Sequence, residues 1–388
     1  MMNIEDNAYI CALNRIFGFK PKIGLTLISQ LGSAQEIFRL SHKEKAEVLG
    51  THSRFVTEIC MKRVEEAAEE LHALERQGIT FLGYTDENYP RLLQDCDDPP
   101  IGLYIRSVSP HKDIFNRSRP ISVIGTRDIS PYGKEWCERI VAGLAACKEK
   151  PCIISGLALG TDICAHRSAL ENGLPTIAVM ATGPEDIYPY RHRSYAERIA
   201  ATPGCALITD YPPGTPALPV HFLRRNRIIA GLSEATLLIE SKIKGGGMMT
   251  ARLAFSYNRD VYALPGRIDD TMSQGCNLLI REKKAEALTD MSSFINNLRL
   301  SPERQFPGNG ASHMELTSLY GSRLPDDRIV QMSEILITIR KNRGIMLEDL
   351  ACSIKTDYRR VAELAGILES DGLIEMDLLQ RCFISHKR

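Results

Sequence analysis

The chain has 388 residues, and its 48 Lys and Arg are balanced by 48 Asp and Glu, giving a formal net charge of zero. At 44% hydrophobic and 25% charged it has the makeup of an ordinary globular protein, with core enough for about two or three domains. Neutrality removes any global pull onto nucleic acid, so binding of that kind has to come from a focused local patch.

The 11 cysteines are odd in number and include no C-x-x-C pair. They suit free thiols in a reducing cytosol rather than a zinc framework or a disulfide scaffold. The opening MMNIEDNAYICALNRIF lacks a signal layout, and no apolar run reaches the length of a membrane span. A cytoplasmic protein with no membrane contact and no metal or other cofactor is expected.

Residues 1–81 predict a helical domain, with apolar positions at helical spacing in Ala8, Ala12 and Ile16 and again in Val64, Ala67, Ala68, Leu71 and Leu74. Gly18 and Gly24 bracket a short turn, a helix ends near Gly32, and Ser33 is placed to cap the next one. The layout looks like a SAM or helix-hairpin-helix unit, whose turn amides can meet phosphates. Only Lys20 and Lys22 are basic at that turn, so a plain docking module is the favoured reading.

From Ile101 the period changes, within a core assigned to residues 82–295. The runs IGLYI, ISVIG, CIIS, TIAVM, ALIT, ATLLIE and VYALP alternate with helical stretches at 132–147, 161–172, 193–201, 221–231 and 248–258. This predicts an α/β core with a parallel sheet covered on both faces and ligands at the carboxyl ends of the strands. Residues 296–327 read as a polar linker rich in Pro and Gly. Residues 328–388 read helix, helix, helix, hairpin, which resembles a winged helix. Its balanced charge suits protein docking at least as well as duplex reading.

The turns after the predicted strands carry the chemistry. In GTRDISPYG, Gly125 permits a tight turn, Ser130 can cap and Pro131 suits a first helical position. Arg127 projects beside that helix start, where a guanidinium matches phosphate bidentately; the alternative is pairing with Asp128 or a distant carboxylate. SGLALGTD places Gly156 and Gly160 before a helix but is not a dinucleotide fingerprint. His166 within that helix reads as a packing histidine. HFLRRNRIIAGLS puts Arg224, Arg225 and Arg227 within one turn, so Arg224 and Arg227 are expected on one open surface while Ile228, Ile229 and Leu232 face the core. In KGGGMMTAR the glycines let a ligand approach the main chain, Thr250 offers a hydroxyl, and Lys242, Lys244 and Arg252 surround them. Plainer readings are a solvated basic face for the arginines and a floppy loop for the glycines. Tyr132, Tyr188, Tyr190 and Phe222 lie near these turns and could stack bases. No G-x-S-x-G or Walker A loop appears, and these turns hold no obvious carboxylate pair. Asp162, Asp210 and Glu240 suit capping or pairing as well as acid–base work.

The series IGTRDISPYG, SGLALGTDICAHRSAL, TIAVMATGPEDIYP, ITDYPPGTPALPVHFLRRNRIIAGLSEATLLIE, KGGGMMTA and VYALPGRI resembles the DprA or Smf family of DNA-processing proteins, in order over residues 82–290. The resemblance implies a Rossmann-like core that binds single-stranded DNA, forms a homodimer and hands the strand to RecA in natural transformation, without catalysis. It also implies positions. Arg127 matches the family's phosphate-contacting arginine, and Gly156 and Gly160 its S-G-x-A-x-G turn. Arg225 and Arg227 match its R-N-R, and Gly246, Gly247 and Thr250 its glycine-rich S-G-S-x-x-T. Three departures stand out: Lys244 and its glycines replace the serine-containing version, Asp210 stands where Glu is usual, and Arg267 where Asn is usual after Pro-Gly. Arg224, Lys244 and Arg267 join the expected DNA-binding set. The competing reading is a nucleoside-monophosphate phosphoribohydrolase-like enzyme of the same superfamily, whose P-G-G-x-G-T motif is missing here.

Overall fold

A computed structural model of the chain describes residues 4–115, 119–301, 313–321, 324–342, 344–377 and 379–384. It forms two compact units, Met1–Glu303 and Arg304–Arg388.

Six helices open the first unit: α1 (Ile4–Phe17), α2 (Pro21–Leu31), α3 (Ala34–Arg39), α4 (His42–Leu49), α5 (Phe55–Glu58) and α6 (Met61–Glu75). Their ends follow the local chemistry. Gly32 closes α2 in the left-handed conformation, with its N–H on the Ile28 carbonyl, and the Ser33 hydroxyl accepts from Glu36 N to start α3. Gly24 lies inside α2 rather than at its edge, packed against Ile101. The apolar faces of α1 and α6 meet over Leu13, Phe17 and Leu71, and the same core takes in Ile79, Phe81, Ile101 and Tyr104 from the sheet.

The sheet-forming part continues with β1 (Ile79–Gly83), α7 (Arg91–Gln94), β2 (Gly102–Arg106), α8 (His111–Phe115) and β3 (Ile121–Ile124). Next come α9 (Pro131–Ala145), β4 (Ile153–Ser155), α10 (Thr161–Glu171), β5 (Thr176–Val179), α11 (Arg193–Ala201) and β6 (Ala206–Thr209). The run ends with α12 (Pro219–Gly231), β7 (Ala235–Leu238), α13 (Gly246–Ser256), β8 (Asp260–Ala263), α14 (Gln274–Arg281), β9 (Glu286–Ala287) and α15 (Met291–Asn297). The strands join in the order β1-β2-β6-β5-β4-β3-β7-β8-β9. From β6 to β9 neighbours run parallel, as the alternating pattern predicts, and β3–β7 are buried at every position.

At one edge β2 runs antiparallel to both β1 and β6. The sequence pattern misses that reversal and also misses β1. β1 crosses the expected boundary at 81/82, so the helices and the sheet share one core through the outer strand pair. From β3 the chain winds out to β6, then returns to β7 on the other side of β3. The order therefore reverses between β3 and β7, where the strand ends diverge and leave a crevice.

The expected linker at 296–327 falls partly outside the described residues, which omit 302–312 and 322–323. Its described part includes the end of α15 and a helix α16 (His313–Tyr320). The second unit goes on with α17 (Asp326–Lys341), β10 (Ile345–Met346), α18 (Leu347–Ser353), α19 (Tyr358–Ser370), β11 (Ile374–Met376) and β12 (Arg381–Ile384). The last three strands form an antiparallel sheet ordered β10-β12-β11, and Ile335, Leu350 and Leu364 lie in the unit's core. No helix among the described residues is long and apolar enough to cross a membrane.

Candidate functional site

A cleft of about 410 Å³ opens at the reversal point, between the turns after β3, β4 and β7 and the first turns of α12 and α13. Of the predicted site residues it is lined by Arg127, Arg225, Lys244, Gly246, Gly247 and Thr250. Gly156, Gly160, Arg224, Arg227 and Arg267 are not in its wall.

The β3 turn supplies one side. Ser130 caps α9 by accepting from Gly133 N at 3.1 Å, with Pro131 at the first helical position, as the sequence predicts. The Glu240 carboxylate accepts from Ser130 N at 2.9 Å and so anchors the same helix start from the end of β7. Glu240 is 1% exposed and committed to that capping. Arg127 is exposed on the turn, and its guanidinium lies over the Phe222 ring at 5.1 Å from the centroid. Tyr188 meets the same ring edge-on at 5.5 Å. Neither Asp128 nor any other described carboxylate forms an ion pair with Arg127. The cation is therefore stacked and free to bind.

The α13 turn faces it. Helix α13 starts after Gly245 with no side chain capping its first N–H groups, and Lys242 and Lys244 are exposed beside it without ion pairs among the described residues. Those free amides, the helix dipole and two lysines together favour an anion. The glycines there divide their work. A Cβ at Gly246 would meet nothing within 4 Å, so its main chain is open to a ligand. A Cβ at Gly247 would lie 2.8 Å from Leu238 Cδ1 and 3.2 Å from Gly125 Cα, so that glycine is needed to seat α13 against the β3 turn.

The β4 turn acts from behind. Gly160 has φ +75° and a Cβ there would lie 2.3 Å from the Thr126 carbonyl oxygen, so this glycine lets the two turns close on each other. Gly156 leaves room for the Arg225 guanidinium and the Asp162 carboxylate, each 2.3 Å from where its Cβ would be. His166 is fully buried and hydrogen-bonded to Thr176 Oγ1 at 2.7 Å; burial pushes its pKa down to about 4. It is the packing histidine expected.

Helix α12 corrects the prediction most. Its residues Arg225–Gly231 are all buried, because the helix packs against α13, α7 and β5 rather than lying on an open face. Arg227 turns inward, donating to Asp210 Oδ2 at 2.6 Å and to the Asp98 carbonyl oxygen. Burial works against its charge, but Asp210 and then Asp98 outweigh that and raise its pKa. Arg227 is a structural cation, and Asp210 is spent on it. Arg225 donates to the Val179 carbonyl oxygen deep in the cleft wall; burial lowers its pKa and raises that of the neighbouring Asp162. Arg224 is half-buried, over the Phe19 ring at 4.5 Å. Arg224 and Arg227, three residues apart, both look towards Asp210, but only Arg224 reaches solvent, so they do not line an open surface together. Arg267 is 81% exposed and paired with Asp269 at 2.9 Å, outside the cleft. The residue sequence reasoning missed is Asn226, which lines the cleft floor. An asparagine held inside a helix was its one signal.

A family profile described as DNA recombination-mediator protein A matches residues 80–299. Among curated proteins the chain is similar to Protein Smf of Synechocystis sp., at 32% identity over 77% of this chain and 74% of that protein. It is also similar to the DNA processing protein DprA of Streptococcus pneumoniae, at 34% identity over 58% of this chain and 76% of that protein. The solved structure of DprA from S. pneumoniae superposes with a TM-score of 0.64 at 28% identity, over 74% of this chain and 97% of that one. A structure of DNA processing protein A from Helicobacter pylori, described for its unique single-stranded DNA binding mode, aligns with a TM-score of 0.50 at 30% identity, over 57% of this chain and 95% of that one.

Proposed function

The chain belongs to the DNA recombination-mediator protein A family, and on that premise we propose that its cleft holds single-stranded DNA. One observation carries the reading: Arg127 stacked on Phe222 lines one cleft with the uncapped start of α13 and the exposed Lys242 and Lys244 before it. Backbone phosphates suit the amides and cations, and an unpaired base suits the Phe222 ring. A duplex keeps its bases stacked inside and cannot use that ring.

The protein works without catalysis. The three buried carboxylates at the strand ends support this, because Glu240 caps α9, Asp210 is bound by Arg227 and Asp162 lies beside Arg225. In the cell it acts in the cytoplasm as a homodimer, protects incoming DNA and passes it to a RecA recombinase during natural transformation. The winged-helix-like second unit docks a protein.

The test is a comparison of single- and double-stranded oligonucleotides across salt by gel shift. Single strands should bind more tightly, nearly independent of sequence, with affinity falling steeply as salt rises. Equal or tighter duplex binding would refute the reading. Release of free base from a nucleoside monophosphate would put the hydrolase in its place.

A further inference from the structure

Resting on that single-strand reading, we infer that the strand leaves the cleft across the first turns of α12 and stacks a further base on Phe19, with Arg224 binding its phosphate. Phe19 sits at the turn between α1 and α2 and is 63% exposed. Such exposure is a poor use of a phenylalanine for holding a fold. The turn is nevertheless held in place, because Asn14 Nδ2 donates to the Asp210 carbonyl oxygen at 3.0 Å and anchors the end of α1 at the end of β6.

Arg224 lies over the Phe19 ring at 4.5 Å, with the Tyr211 and His221 rings 6.2 and 5.9 Å from that of Phe19. Among the described residues Arg224 makes neither an ion pair nor a hydrogen bond, and the nearby Asp210 carboxylate is already bound by Arg227. A guanidinium stacked through its face keeps its in-plane N–H donors for an anion. The same stacked pair of arginine and phenylalanine occurs in the cleft, as Arg127 on Phe222.

The two pairs are continuous. Phe222 and Arg224 belong to one turn of α12, the first facing the cleft and the second facing Phe19, with the exposed Val220 and Leu223 on the same stretch. Beyond Phe19, exposed Lys22 stands on the first turn of α2 and extends the positive side of the path. Alternating cations and rings are the pattern of a single-strand track, and a stacking platform is indifferent to base identity.

The experiment measures affinity by fluorescence anisotropy for oligo-dT of increasing length, from about 4 to about 16 nucleotides, the range single-strand sites span. Phe19→Ala is compared with wild type and with Phe19→Trp; the exposed ring makes all three foldable. The short oligomer should bind wild type and Phe19→Ala alike. The long one should bind Phe19→Ala about fivefold or more weakly, the low end for one stacked base. Phe19→Trp should restore the affinity and show indole quenching with the long oligomer only. Equal affinities at every length would overturn the inference, and so would a loss that is the same at every length, because Phe19 would then act on the cleft itself. If wild type binds no oligomer of any length, the single-strand reading itself fails.

Discussion

Replacing Arg227 separates a fold-holding arginine from a DNA-holding one. Its side chain is 5% exposed and that of Asp210 is 4% exposed, at 2.6 Å from each other. Arg227→Ala leaves the Asp210 carboxylate buried without its cation, and Oδ1 of that carboxylate has no hydrogen-bond partner even in the intact protein. Breaking one side of a buried ion pair costs about 3–5 kcal/mol. At about 2–4 °C per kcal/mol for large domains, the unfolding midpoint should drop on the order of 10 °C. Asp98 adds little to the loss, since Tyr257 still donates to it at 2.8 Å. Calorimetry gives the midpoint and anisotropy below it gives the DNA affinity, which should stay within about twofold of wild type because Arg227 is outside the cleft. The paired replacement Arg227→Met with Asp210→Leu should recover much of the stability, since it leaves no orphaned charge. An unchanged midpoint with lost DNA binding would refute the argument and return Arg227 to the phosphate-contacting role its sequence position suggests.

Arg127→Ala should do the reverse, weakening single-strand binding by about 1.5–3 kcal/mol at moderate salt with little change in midpoint, as an exposed cation that hydrogen-bonds phosphate would; a titration alongside a melt checks both. Gly247→Ala should destabilise by about 1–3 kcal/mol through overpacking on Leu238, whereas Gly246→Ala should keep stability and lose DNA affinity, as read from denaturant curves and anisotropy on the pair. His166 gives a pH signature. Its folded pKa of about 4 lies below the ordinary value near 6.5, so as pH falls the unfolded chain gains a proton that the fold refuses. Stability should therefore fall as pH drops from about 6.5 towards about 4 and be flat in this respect above and below. From pH 7 to 5 the loss is about 2 kcal/mol, and His166→Gln should remove it in denaturation curves at the two pH values.

Most of the architecture was legible in the sequence because it depends on neighbours along the chain. The Gly32 stop, the Ser33 and Ser130 caps and Pro131 at a first helical position are settled within one turn of backbone. The runs at β3–β7 were readable because a strand buried on both faces is largely apolar. Arg127, Lys244 and Gly246 were legible too, since a turn after a parallel strand has nowhere to go but the ligand end of the sheet. Tertiary packing decided the rest. Which way an arginine points from α12 depends on what the helix is wedged between, and a helix buried on several sides sends Arg227 to Asp210, a carboxylate 17 residues away. The reversal of β2 beside β6 and the split between Gly246 and Gly247 likewise arise from contacts between distant segments. Periodicity reports a residue's place on its own element, and only the assembled sheet fixes what that place faces.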